Sequence, residues 1–236
     1  LPELCAAPQR FPGQAARAIA AVVAVCAPAD RARAVTSLRT VGAEQGDLAA
    51  AKTLYDLDGE IAPLLHCLEQ VFRRGTGQLR EAARVTGALG SRAAALVPAL
   101  REALSGTDGD TTPALDTDTA LTEALWHVTG DADGVVAVLD SVLARAEDPW
   151  SRWSVVRAAR TTVLLDPAGR PLAARLEAAL NDPVQAPAAV LALTAVAEPA
   201  SLDRNALAEA ASVYWFTASA TSSARLYWES FANFRD

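Results

Sequence analysis

The sequence predicts an all-α protein, a solenoid of antiparallel helical hairpins with a C-terminal helical tail. Three observations predict it. The apolar share of the 236 residues, 51%, is mostly Ala, Leu and Val, and Arg supplies nearly all the positive charge because Lys52 is the single lysine. Ala, Leu and Arg are strong helix formers. Leu64, Leu65, Leu68, Val71 and Phe72 are spaced i, i+1, i+4, i+7, i+8, one face of a helix. The same pattern returns 71 residues later, as Val135, Val136, Leu139, Val142 and Leu143.

The repeat extends on both sides. Leu54-Tyr55 with Gly59 recurs as Leu125-Trp126 with Gly130 at the same offset of 71. Ala82-Ala83-Arg84 recurs as Ala158-Ala159-Arg160, an offset of 76, and Leu89, Leu96, Leu100 and Leu104 recur as Leu165, Leu172, Leu176 and Leu180. The five-residue change of register falls near Glu147-Asp148-Pro149-Trp150, where a turn tolerates an insertion. A unit of this length holds two helical hairpins. A lone hairpin cannot bury its apolar face, so neighbours stack.

Each element follows from periodicity and punctuation. Helices are predicted at about 14–26, 29–41, 45–57, 61–74, 77–89, 92–105, 117–129, 132–146, 150–165, 170–181, 185–197 and 203–229. Gly59 and Gly130 stand where a helix ends in the left-handed region. Asp148-Pro149 reads as an N-cap followed by proline at the first helical position. Asp166-Pro167, Asn181-Asp182-Pro183 and Glu198-Pro199 mark hairpin turns. The stretch 105–113 is the most loop-like.

The string Ala124-Leu125-Trp126-His127-Val128-Thr129-Gly130-Asp131, with the helix after it, resembles bacterial HEAT-repeat proteins. Ala94-Ala95-Leu96-Val97-Pro98-Ala99-Leu100-Arg101 is similar to the second helix of such repeats. The resemblance spans about residues 14–200. It implies an armadillo-like α-solenoid that serves as a surface for a protein partner. The tetratricopeptide pattern W-x-x-L-G-x-x-Y is found at neither Tyr55 nor Trp126. The repeat region is expected over 1–211, with a separate aromatic, Ser/Thr-rich tail over 212–236.

Charge and composition exclude several classes. A net charge of −7 argues against a duplex nucleic-acid partner. No run of about 18 apolar residues exists to span a membrane. The stretch 15–26 is interrupted by Arg17 and lacks the basic flank and clean cleavage site of a signal peptide. Cys5, Cys26 and Cys67 are odd in number and lack C-x-x-C spacing, which suits buried thiols in a reducing cytoplasm. The start at Leu1 and the absence of methionine predict a fragment or processed product.

No cofactor or metal site is expected. His66 and His127 are not equivalent in the repeat, and adjacent His66-Cys67 point about 100° apart on a helix. Asp108, Asp110, Asp116 and Asp118 fail the calcium-loop pattern, because Pro113 stands at the sixth position and Thr119 at the twelfth; they are expected in a solvated loop and at helix N-caps. Arg73, Arg74, Arg80, Arg84 and Arg92 could supply a basic nucleic-acid scaffold, but aromatic residues are not interleaved with them. Trp150 and Trp153 are candidates for an exposed contact site. Together with Arg73 and Arg74 they form the predicted interaction surface.

From Val213 the sequence changes character. Tyr214-Trp215-Phe216-Thr217, then Ser222-Ser223, then Arg225-Leu226-Tyr227-Trp228-Glu229 resembles the post-cap segment of α/β-hydrolase-fold epoxide hydrolases. The resemblance, over about 212–234, implies that Tyr227 would donate a hydrogen bond to an epoxide oxygen, hydrolysed to a diol in that family. No nucleophile elbow, no H-G-x-P loop and no histidine after Tyr227 accompanies it. The same segment can form a last amphipathic helix, with Tyr214, Trp215, Leu226 and Trp228 as apolar cover. The expected function is therefore a non-catalytic interaction scaffold, with an epoxide-hydrolase-related fragment or fusion as the alternative.

Overall fold

A computed structural model describes residues 18–19, 28–40, 47–75, 77–105, 112–145 and 147–196. The protein is all-α: every regular element among the described residues is helical. In chain order these are α1 (Pro28–Arg39), α2 (Leu48–Asp58), α3 (Ile61–Arg74), α4 (Leu79–Leu89), a 3-10 segment (Gly90–Leu96), α5 (Val97–Ser105), α6 (Thr112–Thr129), α7 (Ala132–Leu143), α8 (Arg152–Val163), a second 3-10 segment (Asp166–Leu172), α9 (Ala173–Ala179) and α10 (Ala186–Val196). The helices expected over 14–26 and 203–229 lie outside the described residues, apart from Ala18 and Ile19.

The chain divides into two compact units between Gly106 and Thr107, with His127–Thr129 counted in the first. Each unit carries one copy of the repeat. In the first, α2 packs on α1 and α3, and α3 packs on α4, α5 and the 3-10 segment. Ile19, Ala34, Leu38, Ala50 and Leu54 form its cluster around α1 and α2. In the second, α7 packs on α8, α9 and the second 3-10 segment, the set of contacts that α3 makes in the first. There α10 adds a further layer over α8 and α9. Within each unit, helices two apart in sequence lie side by side, as α3 with α5 and α8 with α10.

The two copies agree at the level of single side chains. Leu64, Leu68, Val71 and Phe72 on α3 are buried, and so are Val135, Leu139, Val142 and Leu143 on α7. Leu65 and Val136 are both half-buried. Burial of such side chains contributes roughly 1.5–3 kcal/mol apiece. The turns match as well. Gly59 (φ 76°) and Gly130 (φ 66°) end α2 and α6 in the left-handed region, and their N–H groups donate to the carbonyls of Tyr55 and Trp126, both at 2.8 Å. The caps do not match: Asp131 caps α7 by accepting from the Asp133 N–H (3.3 Å), whereas Glu60 at the same repeat position makes no side-chain cap on α3; Asp47 caps α2 through the Ala50 N–H (2.7 Å).

Three expectations need correction. The helices expected from 92 and from 170 are each preceded by a seven-residue 3-10 segment, and regular α-geometry begins only at Val97 and Ala173. Both segments begin at a positive φ, Gly90 at 58° and Asp166 at 48°, which closes the preceding helix. These starting points are 76 residues apart, so the tighter helix is part of the repeat. The expected hairpin turn at Asp166-Pro167 is the entry to this segment. Finally, α6 begins at Thr112 rather than near 117. Pro113 does not prevent this, because the first turn of a helix has no use for its missing N–H. Asp116 and Asp118 therefore stand on a helix and not in a loop.

One position separates the copies. Ala93 is buried in the first 3-10 segment, whereas Gly169 takes its place in the second. A Cβ on Gly169 would lie 2.8 Å from Val196 Cγ1 on α10 and 3.2 Å from Thr162 Cγ2 on α8. The close seat of α10 thus requires glycine. Gly169→Ala should lower stability by about 1–3 kcal/mol, read as a drop in urea midpoint at constant slope. Adding Val196→Ala, which removes the clashing methyl, should recover part of that loss.

Candidate interaction surface

The most exposed large apolar side chains gather in the second unit. Trp150 is 84% exposed and Trp153 57%, with Leu164 at 41% beyond them and Leu191 at 60% on α10. The expected N-cap at Asp148 with Pro149 inside the helix is not formed, because the helix starts at Arg152 with Ser151 at its N-cap; Asp148 instead closes the turn before α8, which holds Trp150. Asp148 Oδ1 accepts from the Trp150 N–H (3.0 Å), its Oδ2 accepts from the Ser151 hydroxyl (2.7 Å), and its carbonyl accepts from the Ser151 N–H (3.1 Å). The Ser151 hydroxyl, followed by the Trp150 N–H, holds the Asp148 carboxyl below the usual range. The carboxylate therefore stays ionised and keeps the turn closed.

Behind this face runs a polar seam between α6 and α8. Asp116 is buried on α6; its Oδ1 accepts from the Ser154 hydroxyl at 2.9 Å, and its Oδ2 lies 3.1 Å from an Arg157 guanidinium nitrogen. One turn or more further along, the Thr161 hydroxyl donates to Glu123 at 3.3 Å. The seam fixes the rotation of α8 about its own axis. It does so by polar contacts 38 residues apart in sequence, a pairing that no local pattern announces.

The four residues of the predicted surface fall in both units. Arg73 and Arg74 close α3 in the first, where cations favour a helix C-terminus, and Arg73 pairs with Glu69 at 2.7 Å. Trp150 and Trp153 belong to the second. Of the other arginines weighed as a basic scaffold, Arg84 is held by Glu81 at 2.6 Å, and Arg92 donates to the Tyr55 hydroxyl and lies 5.4 Å from the centre of its ring. The sequence reading missed Arg157, Arg160 and Leu164, which share the exposed line of Trp153. The signal was present in their spacing from Trp153 along α8.

His66 and His127 are exposed on α3 and at the end of α6. Cys67 is buried, and burial above all, with Asp47 adding to it and Arg74 opposing, pushes its thiol up to about 11. Among the described residues, no three His, Cys, Asp or Glu side chains gather as metal ligands, and no helix is long and apolar enough to cross a membrane. Asp108, Asp110, Cys5, Cys26, Tyr227 and the whole expected tail lie outside the described residues. Compared with family models, curated proteins and solved structures, the chain matches none.

Two outcomes follow from the seam and the thiol. Asp116→Ala should cost roughly 1–3 kcal/mol, because the Ser154 hydroxyl loses its acceptor in a buried place. Arg157→Ala should cost at most about 1 kcal/mol, because that guanidinium is half in solvent. Denaturant titration of both variants checks the ranking. In a Cys5→Ser, Cys26→Ser background, Cys67 should resist a thiol reagent until the chain unfolds. Its folded pKa exceeds the ordinary 9.0, so its contribution to stability is complete below pH 9 and lost as pH rises towards 11. Cys67→Ala should remove that component of the alkaline slope.

Proposed function

We propose that this protein is a non-catalytic interaction scaffold, a HEAT-like array of stacked helical hairpins whose exposed helix faces bind another protein. One observation carries the reading: five buried positions of α4 recur as buried positions at the same offset, while most exposed positions change, although Arg84 is kept as Arg160 and exposed Gln78 and Arg80 are matched by buried Ser154 and Val156. Buried Ala82, Ala83, Val85, Thr86 and Leu89 on α4 correspond to buried Ala158, Ala159, Thr161, Thr162 and Leu165. Exposed Gly77, Glu81 and Ala88 correspond to Trp153, Arg157 and Leu164. A fold maintained inside and varied outside suits recognition by surface. The side-by-side placement of helices two apart supports stacking of hairpins in each unit. The thiol of Cys67, buried and unpaired, suits a cytoplasmic setting.

The scaffold reading expects a saturable complex with a protein partner and no turnover of epoxides. Proximity labelling in the native cell would supply candidates, and titration calorimetry with the purified candidate would measure binding. A micromolar or tighter complex with negative heat-capacity change is the expected result. Failure of every purified candidate to bind would overturn the reading. So would turnover of styrene oxide that disappears in Tyr227→Phe.

A further inference from the structure

The exposed line on α8 carries more than two tryptophans. Trp153, Arg157, Arg160 and Leu164 are spaced by four, three and four residues, so they share one face, and Trp150 precedes them in the opening turn. All are exposed. The corresponding line in the first copy is Gly77, in the turn before α4, followed by Glu81, Arg84 and Ala88 on α4. There the two charges satisfy each other: Arg84 donates to Glu81 through two nitrogens, at 2.9 and 2.6 Å. That line has no aromatic residue and no net charge.

The second copy differs at each of those features. Arginine replaces the glutamate at 157. The carboxylate that pairs with it, Asp116, is buried on α6 rather than displayed on the face. Arg160 has no ion-pair partner among the described residues. The exposed line thus displays two guanidiniums side by side, Arg157 paired inward with Asp116 and Arg160 beyond it, flanked by indoles at one end and Leu164 at the other, on a chain of net charge −7. Exposed Trp and Arg are the residue types that dominate binding energy at protein interfaces. A guanidinium beside an indole is complementary to an anionic partner that also brings apolar atoms.

Resting on the scaffold reading, we propose that the α8 line Trp150, Trp153, Arg157, Arg160 and Leu164 is the docking face, and that its occupant is an acidic segment of another protein rich in aliphatic side chains. The carboxylates would meet Arg160 and the outward side of Arg157. The aliphatic groups would lie on Trp153 and Leu164. Trp153 and Arg160 take no part in the seam that holds Arg157, so they can be replaced without opening it.

The test is selection of a random-peptide display library against the whole chain, followed by binding of the recovered peptides to variants with unchanged helical circular dichroism. Recovered peptides should be rich in Asp and Glu interleaved with Leu, Ile and Phe. Trp153→Gln should weaken them about tenfold or more. Arg160→Glu should weaken them similarly and, used as bait, should select basic peptides instead. Raised salt should weaken binding, and Leu191→Gln, on the exposed side of α10, should leave it unchanged. Recovery of no peptide overturns the proposal. Peptides that bind Trp153→Gln and Arg160→Glu as well as the parent overturn this face while leaving the scaffold reading in place. Binding of oligo(dT) that is lost in Trp153→Gln overturns the choice of a protein occupant.

Discussion

A pair of short helices has too little apolar surface to stand alone in water, and everything in this protein answers to that constraint. The stripe on α3 is buried only because α2, α4 and α5 cover it. The stripe on α7 is buried by α8, α9 and a 3-10 segment. The covering elements must arrive at set angles, so the turns between them are the next level of constraint. Left-handed glycines at 59 and 130 and positive-φ residues at 90 and 166 supply those turns at matching places in the two copies. The side chains of the two stripes stay apolar where they are covered.

Charged side chains at the surface distinguish the copies. In the first, Lys52 on α2 and Glu81 on α4 bear opposite charges, and Arg84 and Lys52 together draw the Glu81 carboxyl below its ordinary range. At the corresponding positions the second has Glu123 on α6 and Arg157 on α8, the same signs exchanged. Each arrangement is consistent within its own copy. An α4 helix placed against α6 would instead bring Glu81 towards Glu123, and like charges at close range oppose such mispairing. The exchange also frees the outer side of α8 of negative charge, which gives the face its cationic character.

The 3-10 segments couple local backbone to the next layer. Two segments of equal length occupy equivalent places, yet one tolerates Ala93 and the other needs Gly169. The difference lies outside the segment, in the close approach of Val196 from α10. A backbone position can thus be set by a helix that arrives later in the chain. The buried thiol of Cys67 illustrates the opposite case, in which covering a side chain suppresses its chemistry and leaves packing as its role.

By itself, the sequence determined the helical class, the doubled pattern and most of the buried face, because these depend on spacing within one helix and on glycine at its end. Leu64 and Leu139 could be placed inside from their neighbours alone, and the α3 boundaries, Ile61 to Arg74, follow from punctuation. Only the tertiary structure decided that Asp116 is buried against Ser154 and Arg157, that helices expected from 92 and 170 open in 3-10 geometry, and that Gly169 must lack a side chain. Each of these depends on which surfaces of distant elements meet, and contacts between residues far apart in the chain leave no periodic trace along it.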